Sequence, residues 1–162
     1  MSSVGTLYFL IGKMGAGKST YSKQLAEVHG AVLISEDDWL AALYPDEIDG
    51  LEDFIVRHKR LLGILGPHVA AILSSGSSVV MDFPANTKAT REWFLATARA
   101  AGAPHQASYL RVADETCLER IARRRIEQPE RARYDTPELF EQVTRYFEEP
   151  GDGEGLEVIV ID

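Results

Sequence analysis

The chain has 162 residues, enough for one domain with a substantial core but short for two. Hydrophobic residues make up 45%, and the formal net charge of −8 argues against broad binding to nucleic acid or an anionic membrane surface. One cysteine, Cys117, excludes an internal disulfide framework, and no N-terminal apolar run fits a signal peptide or membrane span, so a cytoplasmic protein is expected.

Leu7 to Ile11 is apolar without alternation, which predicts a central parallel strand buried on both faces. It feeds Gly12-Lys13-Met14-Gly15-Ala16-Gly17-Lys18-Ser19, the G-x-x-x-x-G-K-[ST] pattern of a phosphate-binding loop, or Walker A motif. Gly12, Gly15 and Gly17 give the backbone freedom to turn successive N–H groups around a phosphate. The helix expected from about Gly17 to His29 aims its positive end at the same anion. Phosphate binding is therefore assigned to Gly12, Met14, Gly15, Ala16, Gly17, Lys18, Ser19 and Thr20. Lys18 supplies charge for the outer phosphates, and the Ser19 hydroxyl is a ligand for Mg²⁺. In that helix Tyr21, Leu25 and Val28 share the face expected to turn inward.

A second, buried strand is expected over Ala31 to Ile34, delivering Ser35-Glu36-Asp37-Asp38-Trp39 ahead of a helix. Leu51, Phe54, Ile55, His58, Leu61, Leu62, Leu65, Val69, Ile72 and Leu73 then keep helical periodicity, with a kink or two successive helices expected at Gly66-Pro67. Ser78 to Met81 is a third strand, ending at Asp82. Thr87 to Ala101 reads as a helix with Trp93, Phe94 and Thr97 inward. Ala107 to Val112 is a fourth strand, and Asp114 to Ile126 a helix capped by Asp114. Glu127 to Asp135 is a polar, arginine-rich loop. Thr136-Pro137 opens another helix with Leu139, Phe140, Val143, Tyr146 and Phe147 on one face, and Glu157 to Ile161 is a fifth strand.

Strands alternating with helices imply a parallel sheet with helices on both faces, and sites in such sheets lie beyond the carboxyl ends of the strands. There the first strand presents the phosphate loop, the second Asp37-Asp38 and the third Asp82. A carboxylate at Asp37 could orient or deprotonate an acceptor hydroxyl during transfer of a γ-phosphate. Asp38 or Ser35 could instead serve as a helix cap. Asp82 has the place of a metal-linked aspartate, although it could also cap Asn86-Thr87 or pair with an arginine. Arg120, Arg123, Arg124, Arg125, Arg131 and Arg133 are half of the twelve arginines, within fourteen residues. Guanidinium groups bind phosphate bidentately and stabilise a transferring phosphoryl group, and Arg120 and Arg124 share one helix face. The rest fit a solvated face paired with Glu119, Glu127 and Glu130. The four histidines show no metal spacing, and Cys117 fits a buried inert thiol.

Five stretches together resemble the small P-loop kinases described as predicted kinases or AAA-type ATP-binding proteins, related to the zeta toxin and polynucleotide kinase group. They are Gly12 to Thr20, Ile34 to Trp39, Val80 to Thr87, Cys117 to Arg120, and the tail Tyr146 to Pro150 with Glu154-Gly155. The resemblance covers nearly the whole chain. It implies a three-layer α/β P-loop nucleoside triphosphate hydrolase/kinase fold, one domain over residues 1–162, with a five-stranded parallel sheet ordered 2-3-1-4-5. It further implies a short lid over residues 127–135. Asp37 matches the residue that meets the acceptor hydroxyl, Arg120 a lid arginine near the adenine, and Arg124 one near the phosphates. Polynucleotide kinase carries an arginine three residues after its catalytic aspartate, where this chain has Leu40.

The expected activity is transfer of the γ-phosphate of Mg·ATP to a hydroxyl of a small molecule. Lys18, Asp37 and Arg124 would be catalytic, Ser19 and Asp82 would hold Mg²⁺, and Arg120 would lie at the nucleotide. The alternatives are a nucleic-acid 5′-hydroxyl kinase, against which Leu40 and the acidic balance speak, and a nucleotide-binding switch or slow NTPase.

Overall fold

The computed structural model describes residues 3–162. Among them five strands form one parallel sheet in the order β2-β3-β1-β4-β5. The strands are β1 (Leu7–Ile11), β2 (Val32–Ser35), β3 (Val79–Pro84), β4 (His105–Leu110) and β5 (Val158–Ile161). The helices are α1 (Lys18–His29), α2 (Glu36–Leu43), α3 (Leu51–Ser74), α4 (Lys88–Ala100), α5 (Asp114–Glu127) and α6 (Pro137–Thr144).

Strand side chains point alternately to the two faces, and β1 shows the result directly. Leu7, Phe9 and Ile11 join a core with Leu61, Leu65, Val69 and Leu73 of α3 and Phe94 and Ala98 of α4. Tyr8 and Leu10 join a second core with Leu25 and Ala26 of α1, Cys117 and Ile121 of α5, and Phe140 of α6. Each fully buried leucine or phenylalanine contributes about 2–3 kcal/mol, so these two layers fix the sheet and with it the strand ends. No helix among the described residues is long and apolar enough to cross a membrane.

Several expectations need correction. β2 takes the edge position that the expected order gives it, but it is not a buried strand, and in it only Ile34 is buried. Val28 faces solvent at 78% exposure, because Ser22, Leu25 and Ala26 form the inward stripe of α1. Ile55 and Tyr146 are also exposed. Asp114 does not cap α5. Ala113 stands at that position without a side-chain bond, and the Asp114 carboxylate pairs with Lys13 Nζ at 2.7 Å. Thr136 does cap α6, accepting a bond from Leu139 N at 3.1 Å.

α3 runs through Pro67 as one helix. Gly66 has no Cβ to clash with the proline ring, so the residue before proline can stay helical. That bare backbone also admits the Trp93 ring, whose nearest atom would lie 3.6 Å from a Cβ placed there. β3 extends to Pro84 because its pairing with β1 shifts register between Phe9 and Leu10, setting Leu10 opposite Pro84. Asp82 therefore lies inside a strand, opposite Ser35 of β2.

Candidate active site

The loop between β1 and α1 is held at both ends. Gly12 N donates to Asn86 Oδ1 at 2.9 Å, and Asn86 Nδ2 donates to Gly12 O at 2.8 Å. Gly15 and Gly17 have φ of +82° and +97°, where a side chain is strained. At Gly15 a Cβ would also sit 2.7 Å from Cys117 O, so the loop packs directly on the α5 backbone. From α5, Arg120 Nη1 donates to Ala16 O at 3.1 Å and lies 3.4 Å from Gly15 O. Arg120, Gly17, Thr20, Gln24, Leu110 and Arg123 line an open cavity of about 480 Å³ beside the loop.

Lys18 Nζ donates to Gly12 O at 2.6 Å and to Lys13 O at 3.0 Å. Burial lowers its pKa to about 8, while the carboxylates of Asp82 and Asp37 push it upward. The structure thus brings together three residues that the sequence separates by as much as the whole of α3. Asp82 is itself raised above the usual carboxylate range, chiefly by burial and then by Asp37, with Lys18 and the Ser19 and Ser22 hydroxyls acting in the opposite direction. Asp37 and Asp38 are exposed in the first turn of α2. Ser35 is the cap there, accepting from Asp38 N at 3.5 Å, and Thr87 caps α4, so neither Asp38 nor Asp82 serves as a cap. No group of three or more His, Cys, Asp or Glu side chains able to hold a metal occurs among the described residues. A Ser19 hydroxyl with one carboxylate suits Mg²⁺, which keeps several waters and takes further oxygens from phosphates.

The arginines divide. Arg124 forms a two-pronged pair with Asp135, Nε to Oδ2 at 2.8 Å and Nη2 to Oδ1 at 2.6 Å, and it is close enough to Lys18 to lower that group's pKa. Arg131 Nε donates to the same Asp135 at 3.2 Å. Arg133 lies 3.7 Å from both Asp46 and Asp49, and Tyr134 Oη donates to Ile48 O at 3.1 Å. The expected loop over 127–135 begins at the last residue of α5 and contains a 3-10 turn, Pro129–Arg131.

Three further features had no part in the sequence-based assignment. Glu36, 1% exposed, pairs with His58 Nδ1, while its Oε1 has no partner. Asn86 grips the phosphate loop, and Asp135 collects two arginines. For Glu36 the sequence offers an acid directly behind a strand end and for Asp135 an acid closing an arginine-rich segment, while nothing in it marks Asn86.

Residues 7–150 match the family model described as AAA domain. Shikimate kinase of Actinobacillus pleuropneumoniae serotype 5b (strain L20) is 33% identical over 85 residues, 46% of this chain and 46% of that one. The chain thus spans about half the length of the curated relatives it matches. Among solved structures, Chaetomium thermophilum Kti12 in complex with ADP-AlF3 is similar with a TM-score of 0.70 at 20% identity, covering 96% of this chain and 88% of that one. A gluconokinase from Sinorhizobium meliloti 1021 is similar with a TM-score of 0.63 at 20% identity, covering 100% of this chain and 84% of the other. At such identities these structures speak for the fold, the α/β P-loop fold with its sheet ordered 2-3-1-4-5.

Proposed function

The chain belongs to the AAA domain family, within the small P-loop kinase group, and from that premise we propose that it is an ATP-dependent kinase acting on a hydroxyl of a small molecule. The reading makes residues 1–162 one domain in a cytoplasmic setting. The observation that carries it is the meeting of Lys18, Asp82 and Asp37 within electrostatic reach of one another at the carboxyl edge of the sheet.

In this reading the loop residues Gly12, Met14, Gly15, Ala16, Gly17, Lys18, Ser19 and Thr20 surround the phosphates, and the amides other than those of Gly12 and Ala16, which bond to Asn86 Oδ1 and Lys13 O, hold them. The Lys18 ammonium leaves the loop carbonyls for the outer phosphates, whose charge favours its protonated form. Ser19 and Asp82 hold Mg²⁺, which when bound neutralises charge on the phosphate oxygens. Asp37, exposed and at a helix start, receives the acceptor hydroxyl and orients it or takes its proton. Arg124 stabilises charge on the transferring phosphoryl group, and Arg120 lies along the nucleoside. Residues 127–135 act as a lid that excludes water. Shikimate kinase and gluconokinase, both named for small alcohols, support a small-molecule acceptor.

The test is a screen of metabolite and antibiotic alcohols for acceptor-dependent ADP release. At least one alcohol is expected to raise the rate, and Asp37→Ala to retain ATP binding while losing transfer by two orders of magnitude or so, the usual weight of a general base. If no alcohol changes the rate while a protein partner does, a nucleotide switch replaces the kinase.

A further inference from the structure

Asp135 is the charged side chain most completely enclosed beside the lid, with none of its side chain exposed. Its two oxygens accept from Arg124 Nε, Arg124 Nη2 and Arg131 Nε, at 2.8, 2.6 and 3.2 Å. The position is fixed from the backbone as well, since Asp135 N donates to Arg131 O at 2.9 Å and the next residue, Thr136, caps α6. One buried carboxylate thus faces two guanidinium groups in charge-assisted bonds.

The pairing leaves much of each cation uncommitted. A guanidinium has five N–H groups in a fixed plane. Arg124 gives Asp135 one from Nε and one from Nη2, so its Nη1 and an outer Nη2 hydrogen remain free. The Arg124 charge also reaches Lys18, whose pKa it lowers. An arginine without that pairing would sample many rotamers, and ordering it costs conformational entropy.

We propose that Asp135 is a positioning residue that fixes the plane of Arg124, with Arg131 as second donor, before any nucleotide arrives. The proposal rests on the role given to Arg124 above. Through this contact the lid cation meets the charge that develops on the transferring phosphoryl group without reorganising, which favours the transition state over the ground state.

The test compares affinity for ADP with affinity for ADP plus aluminium fluoride, a mimic of the transferring phosphoryl group, both with Mg²⁺. It needs no acceptor, so an empty acceptor screen and a failure here are separate results. Asp135→Asn is expected to bind ADP within twofold of the wild type and the aluminium fluoride complex at least tenfold more weakly. Arg124→Ala should show the same selective loss, and the double variant no more than either alone. Should Asp135→Asn melt below the assay temperature, Asp135→Glu, which keeps the charge and moves the oxygens, is expected to show the selective loss in smaller measure. Equal weakening of both complexes would make the contact merely structural. Tighter ADP binding in Asp135→Asn would make Asp135 a competitor of the phosphates. Either result, or unchanged affinities, overturns the proposal.

Discussion

Glu36 is a carboxylate where the fold gives a carboxylate little reason to be. Burial raises its pKa, the bond from His58 opposes that rise, and Asp37 on α2 and Asp82 on β3 add to it. The native chain therefore binds this proton more tightly than the unfolded chain does. Its stabilising contribution is complete below the ordinary carboxylate range and is lost as pH climbs through the raised value. Glu36→Gln has no such proton, so its urea midpoint relative to the wild type should rise as pH climbs above the ordinary carboxylate range. A pH-independent difference would contradict the burial argument. At this scale the sequence was most legible where one residue type has one use. Gly15, Gly17, Lys18 and Ser19 carry their chemistry in a local pattern. Glu36 and His58 lie on separate helices, and nothing local in either segment announces their contact.

Among the elements, α4 and the tail after α6 form a clamp. Arg91, fully buried, reaches Glu154 through Nε at 2.8 Å and Nη2 at 3.1 Å, and donates through Nη1 to Ala85 O at 3.0 Å. Glu148 N donates to Asn86 O at 2.8 Å, and Glu148 Oε2 accepts from Lys88 N at 2.7 Å. The tail thus braces the turn whose Asn86 grips Gly12. Removing one partner of a buried ion pair costs about 3–5 kcal/mol, and Arg91→Met should lose roughly that in urea denaturation. A loss below about 1 kcal/mol would show that the clamp is dispensable. The Tyr146 to Gly155 stretch was legible as a family mark, yet its physical task depends on contacts some 60 positions away in sequence, between Arg91 and Glu154. α3 gives the opposite lesson, because Gly66-Pro67 reads as a break, yet with glycine before the proline the helix runs on.

For the whole molecule, the parallel sheet and two-sided core followed from the alternation of strands with helices, while the strand order came with the family resemblance. The exposure of β2 was not legible in its residues, because a four-residue apolar run looks the same at the edge as in the middle. Binding at the loop between β1 and α1 stabilises the entire fold by mass action. At a hundred times its Kd, Mg·ATP should add about 2.7 kcal/mol, or roughly 5–10 °C in melting temperature. Lys18→Met should abolish most of that shift; an undiminished shift would place the nucleotide elsewhere. The clamp on Asn86 also has a consequence during translation. The phosphate loop is complete once Ser19 is made, but its brace waits for Glu148, Glu149 and Glu154, which are translated much later. A nascent chain stalled short of them would carry the motif without its grip, so nucleotide capture should wait until they have emerged.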